Sequence, residues 1–241
     1  MPVDHYENFP VASIVLPKKL RRPIEAIYQF ARSADDIADE GNATDNERLQ
    51  ALAAYRGELD RIERGEPATT ALFSSLAETI AEWQLPPTLF HDLLDAFSQD
   101  VVKKRYTDYA ELLDYCRRSA NPVGRLLLHL YGVNSPEALQ ESDAICTALQ
   151  LINFWQDLSV DIPRGRFYLP DADCAAHGVQ RADLLPLRST PNTTELIAAS
   201  AGAAGARGAF GLKDYIGAFA VTAGIGIEKK LAEFEAAHDD Y

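Results

Sequence analysis

The stretch SADDIADE, residues 33–40, sets Asp35, Asp36, Asp39 and Glu40 within six positions with no lysine or arginine among them. Like charges one helical turn apart repel, by about 0.2–0.5 kcal/mol per pair. A second polar stripe runs through ALQLINFWQDLSVDI, residues 148–162. There Asn153, Asp157 and Asp161 stand at i, i+4 and i+8, with Gln150 one turn earlier on nearly the same side. The other positions, Leu149, Leu151, Ile152, Phe154, Trp155, Leu158 and Val160, are apolar nearly all round, the pattern of a buried helix. No Lys or Arg follows in this segment until Arg164. Buried carboxylates are paired or bound to metal, so two readings stand. In one, arginines from other helices neutralise the aspartates. In the other, two facing stripes, Asp35/Asp39 and Asp157/Asp161, hold hard divalent cations through oxygen. Magnesium suits that donor set, because it takes few carboxylates, keeps waters and shares substrate phosphates. A diphosphate-bearing substrate would complete the coordination and let so acidic a chain bind a polyanion.

These side chains must be positioned by helices, and the chain reads as almost entirely helical. In LRRPIEAIYQFARSADDIADE, Ile24, Ile27, Tyr28, Ala31, Ala34 and Ala38 recur at three-and-four spacing. Similar segments follow at roughly 45–64, 68–83, 87–101, 107–119, 122–132 and 136–160. Breakers separate them: RGEP (64–67), LPP (85–87), NP (121–122), NSP (134–136) and IPRG (162–165). Ser135-Pro136 reads as a cap with proline at the first helical position. No run alternates as a strand would. The region 171–192 reads as a loop with short helical turns, and GAAGARGAFG as a weak helix or a close-packing segment. It is no dinucleotide fingerprint, since its glycine spacing is wrong and no strand precedes it. With no Gly/Ser or Pro-rich linker, the whole chain, 1–241, reads as one all-α domain.

Composition narrows the function classes. Of 241 residues 47% are hydrophobic and 24% charged, a soluble globular balance. The formal charge of −13 argues against nucleic acid as a partner, which needs a basic patch. Cys116, Cys146 and Cys174 are scattered without a C-x-x-C pair and read as reduced core thiols in a cytoplasmic protein. The N-terminus lacks the basic and apolar regions of a signal peptide. The apolar run YIGAFAVTAGIGI, residues 215–227, is shorter than the about 20 residues a membrane span needs. Membrane contact is therefore expected to be peripheral, at the inner face of the membrane.

Two aspartate-rich motifs, D-x-x-x-D and N-x-x-x-D-x-x-x-D, resemble those of the squalene/phytoene synthase family. YCRRSANPVG (115–124) resembles the family's Y-C-x-x-x-A-x-x-V-G, and RGRFYLP (164–170) its R-G-R-x-Y-L-P. The likeness runs from about residue 5 to about 190. The last fifty residues match only loosely, mostly in GIGIEKKLAEFEAAHDDY. HYENFPVAS, FARSADDIADEG and LQLINFWQDLSVD together resemble the bacterial hydroxysqualene synthase branch, of the hopanoid route. Relatives that condense two diphosphates more often carry arginine at the position of Gln156, without the preceding Phe154-Trp155 pair.

The resemblance implies an isoprenoid-synthase fold, with helices around a central apolar cavity and the acidic motifs facing each other near its mouth. It implies magnesium held by Asp35, Asp39, Asn153, Asp157 and Asp161, and a prenyl diphosphate substrate, presqualene diphosphate. Ionisation, rearrangement and capture of one water would yield hydroxysqualene and diphosphate, with no nicotinamide cofactor. Arg32, Arg166 and the N-terminal Ser13 match diphosphate-contacting positions. Tyr115 matches a tyrosine near the reacting carbons, where its ring face would stabilise a cation. Gln150 faces the same stripe as the metal residues and would position the attacking water. Asp36 is either a ligand or an i,i+4 ion-pair partner of Arg32, and Gly124 would let a helix bend beside the substrate. Hand-over of substrate from other squalene-pathway enzymes is a further partner expectation. Two alternatives stay open: condensation of two prenyl diphosphates, as in presqualene diphosphate or phytoene synthases, and a non-catalytic helical family member.

Overall fold

The computed structural model describes residues 16–185 and 190–208. Within them the chain forms α1 (Lys18–Asp39), α2 (Asp45–Glu63), α3 (Ala71–Trp83), α4 (Pro87–Val102), α5 (Tyr109–Ser119) and α6 (Asn121–Leu130). After these come α7 (Pro136–Gln156), α8 (Leu158–Asp161), α9 (Asp171–Ala176), α10 (Arg181–Leu184) and α11 (Pro191–Gly208). The starts follow from local chemistry. The Thr44 hydroxyl accepts from the Glu47 N–H at 3.3 Å while the Glu47 carboxylate accepts from the Thr44 N–H at 2.8 Å. That reciprocal cap of α2 is worth about 1 kcal/mol. Asp108 caps α5 through the Glu111 N–H at 2.9 Å, and Ser135 caps α7 through the Ala138 N–H at 3.2 Å. Pro136 then occupies the first turn of α7, where no N–H is needed.

Two apolar clusters result. The first joins α1, α2, α3, α4 and α6 around Phe30, which no solvent reaches. Its ring meets Phe90 edge-on at 5.3 Å and Phe73 at 6.0 Å. The second joins Ala96 of α4 to Tyr115 of α5, Leu151, Phe154 and Trp155 of α7, Phe167 and Tyr168, and Leu196 of α11. α4 serves both, so it forms the wall between them.

One short strip of non-helical pairing ties the chain after α8 to the loop between α4 and α5. The Phe167 N–H donates to Lys104 O at 3.0 Å, the Asp171 N–H to Tyr106 O at 2.9 Å and the Ala172 N–H to Thr107 O at 3.0 Å. Arg105 and Phe167 form an isolated parallel bridge, and no longer strand occurs among the described residues.

Two local expectations need correction. The segment 136–160 is not one helix: α7 stops at Gln156, and Asp157 lies between it and α8 with φ −98° and ψ 13°. Aspartate competes for nearby backbone groups and favours such junctions. The last turn is not buried either, for Asp157 and Ser159 are exposed and Val160 is 47% exposed. The polar stripe is thus split across two helices. Gly124 does not bend a helix; it lies inside α6 where α6 packs on α7. A Cβ there would stand 2.4 Å from Ser142 Oγ and 2.5 Å from Cys146 Sγ. Glycine allows the two helices to approach.

Gly124→Ala should therefore destabilise the fold by about 1–3 kcal/mol in urea unfolding, the usual cost of overpacking. Adding Ser142→Ala and Cys146→Ala should restore most of it, because they remove the two atoms the new methyl meets. Wild-type stability in the single variant would show that α6 and α7 separate freely.

Candidate active site

Asp35 and Asp39 each follow a buried alanine, Ala34 and Ala38, so they stand at the border of the apolar face of α1. Their partner arrives from far along the chain. Gly165, with φ +79°, turns the chain after α8: its N–H donates to Ile162 O at 2.9 Å and the Arg166 N–H donates to Asp161 O at 2.9 Å. This is a Schellman-type ending, which glycine adopts without a Cβ clash. The pairing of Phe167 with Lys104 fixes the next residue. Arg166, held between these two constraints, reaches α1 and grips Asp39 with both ends of its guanidinium. Nη1 donates to Oδ2 at 2.7 Å, and Nη2 donates to Oδ1. The Asp39 carboxylate holds the guanidinium above its ordinary proton affinity.

Around this pair lies unneutralised negative charge. Burial pushes the Asp35 carboxyl up to about 6, helped by Asp39 and opposed by Arg32 and Arg166. Asp161 is also pushed up to about 6 by burial, with Arg166 opposing and Asp157 adding. Carboxyls of both motifs therefore share one electrostatic cluster centred on Arg166. Arg32 pairs with Asp36 at 2.8 Å and lies 3.6 Å from Asp35, so the ion pair at Asp36 is present. Gln150 and Asn153 are half-buried on α7, and Asp157 is exposed at the junction. Ser13 lies outside the described residues, as does the chain beyond 208.

A distant arginine pairs with Asp39 of the first stripe, while Asp161 of the second has Arg166 and Arg164 only as neighbouring charges. Asp35 and Asp161 keep a proton affinity raised first by burial and then by neighbouring carboxylates. As they stand, no three acidic, histidine or cysteine side chains among the described residues converge on one point for a metal ion. The donor chemistry fits a hard cation, since these are oxygens whose negative charge the fold leaves incompletely balanced.

Behind this cluster is an aromatic one. Tyr115 is buried, and its ring lies 5.8 Å from Phe154 and 5.8 Å from Tyr106. Phe154 stacks on Tyr168 at 3.8 Å with an interplanar angle of 4°. The Trp155 indole N–H donates to Tyr168 O at 3.4 Å. Two polar residues here belong to no motif noted in the sequence. Asp100 of α4 accepts a hydrogen bond from the Tyr115 hydroxyl at 2.5 Å. Lys104 donates to the Asp100 carbonyl at 2.6 Å and is held below the usual lysine range by burial and by Arg166. Asp100 had a legible signal: it follows Leu93 by seven and Phe97 by three, inside an apolar helical register.

Comparison with known proteins follows from this geometry. The family model for squalene/phytoene synthase matches residues 3–210. A second model, the activation domain of vitamin B12-dependent methionine synthase, matches residues 205–241, so the loose likeness placed on GIGIEKKLAEFEAAHDDY falls in that second match. The hydroxysqualene synthase of Zymomonas mobilis is 40% identical over 199 residues, 79% of this chain and 65% of that protein. The hydroxysqualene synthase of Rhodopseudomonas palustris is 41% identical over 186 residues, 77% of this chain and 62% of that one. The chain thus spans just under two thirds of the length of these relatives. The crystal structure of squalene synthase HpnC from Alicyclobacillus acidocaldarius superposes with a TM-score of 0.76 at 41% identity, over 85% of this chain and 77% of that one.

Removing Arg166 should hurt more than removing its partner. Arg166→Gln strands Asp39 beside Asp35, Asp161 and Asp100, and should cost about 2–4 kcal/mol at pH 7. Asp39→Asn leaves Arg166 with Asp161 and Asp100 for company and should cost less. Since burial and like charge hold Asp35, Asp100 and Asp161 above the unfolded 3.8, the cost of their negative charge acts above about 6–7 and is relieved as pH falls through that range. The Arg166→Gln deficit should therefore shrink between pH 7 and pH 5 in urea titrations. An unchanged deficit would show that the guanidinium serves packing alone.

Proposed function

The chain belongs to the squalene/phytoene synthase family, and we propose that within it the protein ionises presqualene diphosphate and delivers hydroxysqualene and diphosphate. The observation that carries this reading is the charge cluster just described: two aspartate motifs gathered about one half-buried arginine, beside an aromatic wall. Identity of about 40% to two hydroxysqualene synthases supports the branch. So does Gln156, which leaves the second motif one positive charge short for a second diphosphate.

Asp35, Asp39, Asn153, Asp157 and Asp161 would hold magnesium, which supplies Lewis-acid neutralisation of the leaving diphosphate. The residues of the chain divide the remaining tasks. Arg32 donates to diphosphate oxygens, and Arg166 does so through the N–H bonds that its pair with Asp39 leaves free, a job suited to a planar guanidinium that gives hydrogen bonds in pairs. Ser13 adds a hydroxyl to the same anion. Breaking the C–O bond leaves a cyclopropylcarbinyl cation with its electrons on the diphosphate. The ring faces of Tyr115, Phe154 and Tyr168 offer that cation negative quadrupole rather than a nucleophile that would trap it. Gln150 orients one water, whose oxygen bonds to the rearranged cation while one of its protons passes to the released diphosphate. The substrate and product are long hydrocarbons, so the protein would meet them at a membrane surface or receive them from the preceding enzyme. No helix among the described residues is long and apolar enough to cross a membrane.

The test is a product assay. With presqualene diphosphate and magnesium, diphosphate release should accompany a hydroxylated triterpene that takes oxygen-18 from labelled water, and EDTA should abolish both. Farnesyl diphosphate alone should give little product. Efficient conversion of farnesyl diphosphate to presqualene diphosphate or a phytoene-like product would instead establish the condensing reading. Full activity after EDTA dialysis, with no metal restored, would remove the metal from the reaction.

A further inference from the structure

Asp100 is an anomaly by its surroundings. It is 7% exposed and lies on α4 between the two apolar clusters, on the same face as Ala96, Phe97 and Val101. Its Oδ2 accepts the Tyr115 hydroxyl at 2.5 Å, and its Oδ1 is buried with no hydrogen-bond partner among the described residues. A carboxyl so placed loses hydration without full compensation. Burial pushes it up to about 7, with Asp39 and Asp35 adding and Tyr115 and Arg166 opposing. The same burial holds the Tyr115 phenol well above 10, so the phenol keeps its proton and has Asp100 as its hydrogen-bond partner. Leucine at this position would fill the apolar register with no such penalty. The feature that a leucine lacks is the hold on Tyr115.

We propose that Asp100 is a positioning residue that fixes the Tyr115 hydroxyl and enriches its ring in electron density, making Tyr115 with Phe154 and Tyr168 a stronger cation-stabilising wall. The inference rests on the prenyl diphosphate reading given above. A hydroxyl committed to Asp100 cannot turn its proton toward a positive centre, so the ring presents only its face and an oxygen lone pair. A phenol that donates to a carboxylate also carries more negative charge into its ring than a free phenol, and a ring's attraction for a cation grows with that charge. Tyr115 lies 6.4 Å from Tyr168 and 5.8 Å from Phe154, so the effect is delivered where the aromatic residues meet. Asp100 itself acts only through Tyr115.

The test uses Asp100→Asn, Tyr115→Phe and the double variant of the full chain. With presqualene diphosphate and magnesium, Asp100→Asn should lower kcat about 10-fold while KM stays within about 2-fold, since the loss falls on the transition state. In the Tyr115→Phe background the same change should lose almost nothing further. The melting temperature of Asp100→Asn should hold or rise at pH 7, because a crowded carboxylate is gone; a role in structure alone would lower it and leave kcat alone. Without substrate or metal, the near-ultraviolet tyrosine band of wild type should lie to the red of Asp100→Asn, and that difference should vanish in the Tyr115→Phe background. Equal kcat in wild type and Asp100→Asn, or full additivity in the double variant, would overturn the proposal. If Asp100→Asn does not fold, Tyr115→Phe with undiminished kcat overturns it by itself. A wild type inert toward every prenyl diphosphate would defeat the functional reading instead, while an absent near-ultraviolet difference would still refute the Asp100–Tyr115 coupling separately.

Discussion

The bidentate grip of Arg166 on Asp39 is the constraint on which the site depends. It joins two residues 127 positions apart, from the end of α1 and from the chain beyond α8. Without it the two acidic motifs would have no common counter-charge and would repel each other. Burying such a pair is costly for both ions, and its net contribution to stability can be small. What it supplies is geometry. A lysine could offer the charge but not the two parallel donors that set the angle between the segments. The left-handed turn at Gly165 and the pairing of Phe167 with Lys104 bring that guanidinium to α1 and keep it there.

The helices were legible because their signals are local. Apolar spacing located α1 through α7 to within a few residues, and Ser135-Pro136 marks the start of α7 as expected. Among the described residues, the proline- and aspartate-rich stretch that follows Pro170 forms the short α9 and α10. The break at Asp157 was not legible, since a straight helix and a junction give the same i, i+4 spacing until the backbone turns. For the same reason apolar Val160 suggested burial that the junction undoes. Gly124 could be seen as special, but whether it bends a helix or admits one depends on Ser142 and Cys146, which lie elsewhere in sequence.

In the site, residue types were legible and partnerships were not. Both aspartate motifs announce themselves by excess charge, and RGRFYLP by its likeness to a family segment. That Arg166 would choose Asp39, and not a free anion, is a tertiary fact that no spacing encodes. Asp100 had only the signal of a charge in an apolar register, a weaker one than clustering. Charge and aromatic stacking meet where α4 separates the two clusters, so the polar chemistry on one side and the apolar wall on the other share a single helix.

The distance between Asp39 and Arg166 along the chain also sets an order of events during synthesis. At roughly 5–20 residues per second, a ribosome needs about 6–25 s to reach the arginine after it has made the aspartate. During that interval α1 can pack through Phe30 against Tyr55, Phe73 and Phe90, all made before the arginine, while its acidic end stays hydrated and attracts only mobile counter-ions. The nascent chain is thus an anchored helix with an open negative terminus, and the guanidinium that closes it arrives only once the chain beyond α8 has been made.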